Sequence, residues 1–294
     1  MARARPLLYP TPKDWRETAA RNVLFYGMSG LGKTHISNML RAAGDWFHYS
    51  IDYRIGTRYL GEQIVNNAMM EAMKVPFLQE LLRSDSIYIG SNISFDNLAP
   101  VSTYLGKPGA VSKGGLPFES YVVRQEQFRN AEINALLDTG YFIERAKRIY
   151  GYQNFICDTG GSICEWVHPS DFKDPILCHL AARTAIIWIK GDESHTQELI
   201  RRFEIAPKPM AYRPGFTSKC WVDFMEENAC NADQVDPNAF LRFAYRRSMA
   251  ERQSIYQAIA NNWATAVVTA DEISAVRDPS DFADLVADAF VSGI

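Results

Sequence analysis

The sequence lacks the features that would assign it to the membrane or secretory classes. None of its apolar runs approaches the ~20 residues that a bilayer-spanning helix needs. The first ten residues contain two arginines but neither a long apolar segment nor a small-residue cleavage site, so no signal peptide is predicted. These absences favour the cytoplasm as the location of the protein.

Cysteine and histidine are also few, and positive charge is not in excess. The five cysteines show no repeated C-x-x-C spacing, which argues against a disulfide framework or a zinc knuckle. Cys157, Cys164 and Cys178 are therefore expected to be small, buried or half-buried apolar residues. The five histidines have no metal-ligand spacing. A formal net charge of −3 provides no general attraction to nucleic acid or to an anionic membrane.

One motif is present in full. Residues 27–34, Gly-Met-Ser-Gly-Leu-Gly-Lys-Thr, match the phosphate-binding pattern G-x-x-x-x-G-K-[ST] at every fixed position. In such a loop, backbone N–H groups surround a polyphosphate and the following helix presents its positive end. Lys33 is expected to reach the β- and γ-phosphates, and the Thr34 hydroxyl to bind Mg²⁺. The predicted nucleotide-binding residues are Gly27, Ser29, Gly30, Leu31, Gly32, Lys33, Thr34 and His35.

The sequence around this phosphate loop (residues 27–34) predicts the strand and helix that the motif requires. An apolar run at 22–27 precedes it, and a helical pattern at 35–43, closed by Gly44, follows. Further apolar runs at 47–51, 154–158, 185–190 and 264–269 raise the number of predicted strands to five. This alternation predicts an α/β P-loop NTPase fold in a single domain, 1–294, with a five-stranded parallel sheet and helices on both faces.

Two segments exceed this minimal pattern. Residues 56–123 are predicted to be an inserted acceptor region, helical through Arg83, with a mobile loop at 100–117 over the site. Residues 201–238 carry several basic side chains and are predicted to be a lid whose arginines stabilise a transferring phosphoryl group. The alternative for the second segment is a solvated basic surface. Its basic residues include Arg201, Arg202, Lys208, Arg213 and Lys219.

Two aspartates follow predicted strands at the edge where parallel sheets bind their ligands. Asp52 follows the second strand and Asp158 ends the third. A carboxylate at either position would hold Mg²⁺, directly or through water, or accept the proton of an attacking hydroxyl group. The alternative for each is a helix-capping or turn residue.

At this point the chain resembles the small P-loop metabolite kinases, and shikimate kinase in particular. Beyond the phosphate loop, the resemblance rests on Asp52-Tyr-Arg-Ile55, Phe128-Arg-Asn-Ala-Glu132, Thr159-Gly-Gly161, Tyr212-Arg-Pro214 and the runs 249–258 and 267–271. It implies that Asp52 contacts the hydroxyl group that is phosphorylated and that Arg129 binds a substrate carboxylate. It also implies that Arg213 contacts the substrate and that the last strand leads to an adenine-contacting loop.

The chain departs from the family at three points. Ser50 stands where the family has a second aspartate, whereas Asp158 stands where the family has a small or neutral residue, so we expect Asp158 to serve as a relocated metal ligand. Ser162 replaces the third glycine of the family's loop. An interval of 77 residues separates Asp52 from Arg129, far longer than in the family. Across it, the alternative interpretation makes Phe128 a core residue and Arg129–Glu132 a surface pair.

The function predicted from these features is transfer of the γ-phosphoryl group of ATP to a hydroxyl group of a small metabolite. The predicted catalytic residues are Lys33, Asp52, Arg129, Arg202 and Arg213; the predicted Mg²⁺ ligands are Thr34 and Asp158. The absence of an N/T-K-x-D motif favours ATP over GTP. The alternative is a P-loop ATPase or nucleotide switch that acts on a protein partner through residues 56–123. A nucleic-acid or protein-end kinase is a third interpretation, which the net charge does not support.

Overall fold

Five parallel strands form the sheet of this computed structural model, which describes residues 7–291. The strands lie in the order β2-β3-β1-β4-β5. Every connection between neighbouring parallel strands must cross over the sheet, which is why helical segments separate them. The strands are β1 (Asn22–Tyr26), β2 (Trp46–Ser50), β3 (Asn154–Asp158), β4 (Ala185–Lys190) and β5 (Ala266–Thr269).

Fourteen α-helices occur within the described residues. Two π-helical turns, Ile55–Tyr59 and Ala146–Tyr150, and three 3₁₀ turns, Val111–Lys113, Ile163–Glu165 and Ala232–Gln234, accompany them. In the described part of the chain, no helix combines the length and apolar character needed to cross a membrane. The α-helices are α1 (Pro12–Glu17), α2 (Lys33–Ala42), α3 (Ile51–Arg54), α4 (Gly61–Ala72), α5 (Pro76–Arg83), α6 (Ala99–Leu105), α7 (Phe118–Leu137), α8 (Thr139–Arg145), α9 (Pro175–Ala181), α10 (Glu193–Ile205), α11 (Pro214–Glu227), α12 (Pro237–Trp263), α13 (Ala270–Ala275) and α14 (Pro279–Asp288).

Helices cover both faces of the sheet. Successive residues of a strand point to opposite faces, and on β1 the two neighbours Phe25 and Tyr26 pack against different helices. The Phe25 ring lies 5.8 Å from Phe282 of α14, and the Tyr26 ring lies 6.1 Å from Tyr256 of α12. The predicted fold class, an α/β fold with a five-stranded parallel sheet and helices on both faces, is confirmed.

The chain divides into two compact units. The first contains the sheet and takes the chain through Ile51, residues Ile133–Ala206 and the chain from Ala244 onward. The second consists of Asp52–Glu132 and Pro207–Phe243. The predicted insertion, 56–123, falls wholly in the second unit. The predicted lid is divided, because residues 201–206 belong to the first unit and residues 207–238 to the second.

Aromatic rings and one buried amide hold the second unit together. Phe118 of α7 stacks on Trp221 of α11, with 4.5 Å between ring centroids, and Trp221 packs edge-on against Phe240 of α12 at 5.2 Å. The buried Gln125 side chain donates to the Met210 carbonyl and accepts from the Tyr212 amide, both at 2.9 Å. These contacts join the two chain segments that make up the unit.

One expectation for the second unit is wrong in part. Residues 100–117 were expected to be a loop, but Ala99–Leu105 form α6. Pro100 lies in the first turn of that helix, where a missing N–H costs nothing and the fixed φ angle suits the helix. The remainder carries turn-forming hydrogen bonds, such as Gly109 N–H to the Leu116 carbonyl at 2.9 Å. The helical prediction through Arg83 is confirmed by the π-helical turn, α4 and α5.

Candidate functional site

The phosphate loop connects β1 to α2 in the first unit, and two of its glycines are required by geometry. A Cβ atom on Gly27 would lie 2.4 Å from the Ile189 carbonyl oxygen, a contact that no larger residue could make. Gly32 caps α2 with φ at +92°, a left-handed conformation that favours glycine. The loop therefore has the backbone shape that the sequence motif predicts.

Lys33 lies folded against the loop itself. Its ammonium group donates hydrogen bonds to the carbonyl oxygens of Gly27 and Met28, both at 2.8 Å. The residue is only 8% exposed. The positive charge is therefore held at the beginning of the loop, beside the backbone that would surround a phosphate group.

The two predicted Mg²⁺ ligands lie next to each other. The Thr34 hydroxyl group donates to Asp158 Oδ2 at 3.4 Å. Asp158 reaches this position because it ends β3, which lies beside β1 with Phe25 registered against Asp158. Both groups are hard oxygen donors of the type that Mg²⁺ prefers. Within residues 7–291, no cluster of three or more His, Cys, Asp or Glu could hold a metal.

His48 is a neighbour of Asp158 that the sequence reasoning missed. Its Nε2 atom lies 3.9 Å from Asp158 Oδ2, and its side chain is 3% exposed. Burial first, and the positive charge of Arg41 second, lower the pKa of His48 to about 4, so the imidazole is neutral at pH 7. A neutral imidazole brings no positive charge that would compete with a cation beside Asp158. The alternation along β2 could have identified this residue, because His48 and Ser50 share a face and Ser50 registers against Asp158.

The turn after β3 also lies beside the phosphate loop. A Cβ atom on Gly161 would lie 3.8 Å from the Gly27 carbonyl oxygen and 4.0 Å from the Ser29 amide nitrogen. The Thr159 hydroxyl group donates to the Phe25 carbonyl at 2.8 Å, and the Tyr256 hydroxyl group donates to the Gly161 carbonyl. These bonds fix the Thr159–Gly161 segment against β1 and α12.

A buried ion pair strengthens the same attachment. Arg252 Nε on α12 lies 2.8 Å from Glu165 Oε1, and the two side chains are 5% and 2% exposed. Arg252 and Tyr256 both belong to the run 249–258 that contributed to the resemblance. The structure therefore gives these two residues a common position, next to the turn that follows β3.

The connection between β4 and α10 contacts the phosphate loop from another direction. Asp192 caps α10 by accepting a hydrogen bond from the His195 amide at 2.7 Å, and this bond is the main cause of the lowered pKa of Asp192. The cap sets the orientation of His195, whose Nε2 atom lies 3.0 Å from the Ser29 carbonyl oxygen. His195 was not identified from the sequence, because nothing in a single histidine on a helix indicates this contact.

The remaining predicted catalytic residues are distributed over both units. Arg202 is exposed on α10 of the first unit, 2.6 Å from Glu198, and Arg201 lies 2.7 Å from the same carboxylate. Hydrogen bonds from these two arginines lower the pKa of Glu198 to about 2. Asp52, on α3 directly after β2, and Arg213, at the start of α11, both belong to the second unit.

Arg129 lies on α7 in the second unit, where its guanidinium group is 3.0 Å from Glu126. The expected surface pair with Glu132 is wrong, because Glu132 is fully buried and Arg129 turns to the carboxylate three residues before it. Phe128 is buried, as the core interpretation of that residue predicted.

Comparison with known proteins gives a distant likeness only. No family model matches the chain, and no curated protein matches it significantly. Among solved structures, the chain is similar to the crystal structure of shikimate kinase from Bacteroides thetaiotaomicron, at 14% identity and a TM-score of 0.37. The match covers 92% of this chain and 96% of that one. A likeness at this level carries no argument about activity or substrate.

Proposed function

We propose that this protein is an ATP-dependent phosphotransferase that moves the γ-phosphoryl group of Mg·ATP to a hydroxyl group of a small metabolite. The observation that carries the proposal is the contact between the Thr34 hydroxyl group, in the first turn of α2, and the Asp158 carboxylate at the end of β3, 3.4 Å apart. A glycine-rich turn that binds no ligand does not require a hydroxyl group beside a carboxylate. A loop that binds a magnesium nucleotide requires oxygen ligands of this kind for the metal ion.

The first unit supplies the groups that would bind the nucleotide. Backbone N–H groups of residues 27–35 would bind the phosphates, with the Lys33 ammonium group at the β- and γ-phosphates. Thr34 and Asp158 would hold Mg²⁺, which neutralises phosphate charge when bound. His48, neutral at pH 7 and 3.9 Å from Asp158, adds no positive charge that would compete with the metal ion there.

The transfer itself requires one proton to be removed and negative charge to be neutralised. The acceptor hydroxyl oxygen forms a bond to the γ-phosphorus as the bond to the bridging oxygen breaks, and ADP leaves. In our proposal Asp52 receives the hydroxyl proton, and Arg129 and Arg213 contact the acceptor. Arg202, or its neighbour Arg201, neutralises the charge that develops on the phosphoryl group.

Measurement of ADP release tests this proposal. The purified protein is given Mg·ATP alone and then with a panel of hydroxylated metabolites, with Lys33→Ala as the blank. A kinase should show turnover that rises about tenfold or more with at least one compound, because the acceptor completes the site. Slow turnover that no compound changes would overturn the kinase assignment and favour an ATPase.

Two variants separate nucleotide binding from transfer. Asp158→Asn should weaken Mg·ATP binding and turnover together, by about 100-fold in turnover, whereas Asp288→Asn, at an exposed carboxylate on α14, should have no effect. Asp52→Asn should abolish transfer while ATP still binds. Unchanged acceptor-dependent transfer in Asp52→Asn would exclude this residue as the proton acceptor.

A further inference from the structure

The second unit contains a cleft of about 420 Å³. This volume lies within the range of small-molecule sites, roughly 300–1,000 Å³. Its side-chain lining comes from the π-helical turn, from α4 and from the segment before α6: Thr57, Glu62, Val65, Asn66, Ser91 and Ile93. All of these residues lie within the second unit, so the cleft belongs to that unit alone.

The backbone at the cleft has an uncommon conformation. Residues Ile55–Tyr59 form a π-helical turn, closed by the Leu60 amide donating to the Ile55 carbonyl at 2.8 Å. Such turns are rare and frequently lie at functional sites. Gly56 permits Val101 and Ile93 to pack closely on this turn, because a Cβ atom on Gly56 would lie 2.6 Å from Val101 and 3.1 Å from Ile93.

The polar side chains of the cleft differ in their internal contacts: the Thr57 hydroxyl group donates to the Tyr53 carbonyl oxygen at 2.8 Å, whereas Glu62 and Asn66 are exposed. Glu62 and Asn66 lie one turn apart on α4, and neither makes a side-chain hydrogen bond or ion pair with any residue in the described range 7–291. By contrast, Glu71 on the same helix pairs with Lys74 at 2.7 Å. The Glu62 carboxylate is thus available to a ligand.

The charge of the cleft selects the kind of ligand. Among its lining residues, all of which the structure describes, Glu62 carries the only charge, and no lysine or arginine is present. Thr57, Asn66 and Ser91 offer hydroxyl and amide groups, while Val65 and Ile93 form an apolar wall. A carboxylate or phosphate group would be repelled by Glu62, whereas an ammonium group would form a charge-assisted hydrogen bond with it.

The cleft is close in the chain to the proposed proton acceptor. The helix α3 runs directly into the π-helical turn, so Asp52 lies four residues before Gly56 on a continuous helical path. Four helical residues correspond to a rise of about 6 Å. A ligand in the cleft would therefore lie against the same helical segment that carries Asp52.

We propose that this cleft binds the phosphoryl acceptor, and that the acceptor is a small hydroxylated amine, an amino sugar or amino alcohol, whose ammonium group pairs with Glu62. The role as acceptor site rests on the proposed function; the preference for an amine rests on the cleft alone. The inference departs from the substrate carboxylate that the resemblance implies for Arg129; that guanidinium group, which also contacts Glu126, would instead donate to hydroxyl groups of the acceptor.

Binding to the full chain without nucleotide tests the charge preference. Glucosamine and ethanolamine serve as amine probes, glucose and ethylene glycol as their counterparts without the amine, and shikimate as the carboxylate; calorimetry measures each. At least one amine should bind about tenfold tighter than its counterpart, and shikimate should not compete with it. If no amine exceeds its counterpart, the proposal is overturned.

Matched variants assign the effect to the cleft. Glu62→Gln should remove the tenfold preference, whereas Glu71→Gln, nine residues further along α4 and so on its opposite side, should retain it. Val65→Phe should block binding by filling the cleft, and Met70→Phe, at a residue 60% exposed on α4, should not. Circular dichroism and thermal unfolding identify any variant that fails to fold.

The outcomes distinguish this inference from the proposed function. If an amine binds through Glu62 but the protein neither binds ATP nor transfers a phosphoryl group, the kinase assignment fails and the amine site stands. If a carboxylate compound is phosphorylated and Glu62→Gln has no effect on its turnover, the kinase assignment stands and the amine site fails.

Discussion

Residues 22–26 and residues 61–100 differ most in what they bury. On β1, Val23, Leu24, Phe25 and Tyr26 are completely buried. Between Gly61 and Pro100 no residue is buried, although this stretch contains two helices and many large apolar side chains, among them Phe77 at 69% exposure. The burial of these four side chains stabilises the strand. Residues 61–100 form a surface of the second unit and depend on contacts with the rest of that unit. A ligand site can form on such a surface without displacing buried side chains.

The largest expected effect is a difference in stability between two phenylalanine variants. Phe282 packs against Phe25 of the buried strand, and Phe77 lies in the exposed stretch. Phe282 is completely buried, with its ring 5.8 Å from Phe25, 6.1 Å from Trp46 and 6.2 Å from Trp15. Phe282→Ala should lower the free energy of unfolding by about 3–5 kcal/mol, because it removes apolar contact and leaves a cavity. Phe77→Ala should change it by less than about 0.5 kcal/mol. Urea unfolding of both variants measures the difference.

Equal effects from the two variants would contradict the comparison. A loss of several kcal/mol from Phe77→Ala would mean that α5 is buried in solution, against another copy or another molecule. Measurement at two protein concentrations separates these cases, because stability that depends on a second copy rises with concentration.

The second expected effect is a dependence of the first unit's stability on pH. Burial depresses the pKa of His48 from 6.5 to about 4. Below pH 6.5 the unfolded chain takes up a proton that the folded chain does not, so the contribution of the neutral imidazole is complete above pH 6.5. It is lost as the pH falls towards 4, and the whole loss is about 3 kcal/mol.

Urea unfolding at pH 7.5 and pH 4.5 measures this loss. His48→Leu, which cannot titrate, should be less sensitive to the change of pH than the natural protein. His35→Leu, at an exposed histidine on α2, should match the natural protein. An identical pH dependence in His48→Leu would mean that the imidazole reaches solvent or a compensating charge in the folded state.

The same contrast explains which parts of the fold were predictable. Hydrophobic periodicity indicates which residues are buried, so all five strands could be predicted from the sequence. The predicted bounds of β3 and β4 agree with the structure. The predicted bounds of β2, 47–51, are displaced by one residue from Trp46–Ser50, because Trp46 was not counted with the apolar run. Where nothing is buried, periodicity carries no such information, and the cleft beside α4 left no sign in the sequence.

Errors in the predicted site have equally local causes. Arg129 has a glutamate three residues away on each side, at 126 and 132, and spacing cannot choose between them. The choice depends on which side of α7 faces the interior, and Glu132 is fully buried. The proximity of Thr34 and Asp158 could be predicted, because both lie at ends of elements whose order the sheet determines.

The smallest expected effect concerns how the second unit holds its two chain segments. Gln125 is 4% exposed and joins α7 to the 207–213 segment through the Met210 carbonyl and the Tyr212 amide, both at 2.9 Å. Gln125→Met keeps the side-chain length but removes both of these hydrogen bonds, and the Met210 carbonyl keeps the longer one from the Tyr121 hydroxyl group at 3.5 Å. The free energy of unfolding should fall by about 2 kcal/mol, since an unsatisfied buried polar group costs about 1–3 kcal/mol.

Hydrogen exchange locates this effect in a way that stability alone cannot. In Gln125→Met the Tyr212 amide should exchange faster than in the natural protein, while the amides of β1 keep their protection because they belong to the other unit. Gln63→Met, at a half-buried glutamine on α4 that makes no side-chain hydrogen bond within residues 7–291, is the matched control. Unchanged exchange at Tyr212 would mean that the other contacts between the two segments hold them together, among them the aromatic cluster of Phe118, Trp221 and Phe240 and the hydrogen bond from the Ala110 amide to the Val235 carbonyl at 2.9 Å. Faster exchange would show that the buried Gln125 side chain helps to hold the two segments of the second unit together, as hydrogen bonds between strands do in the first unit.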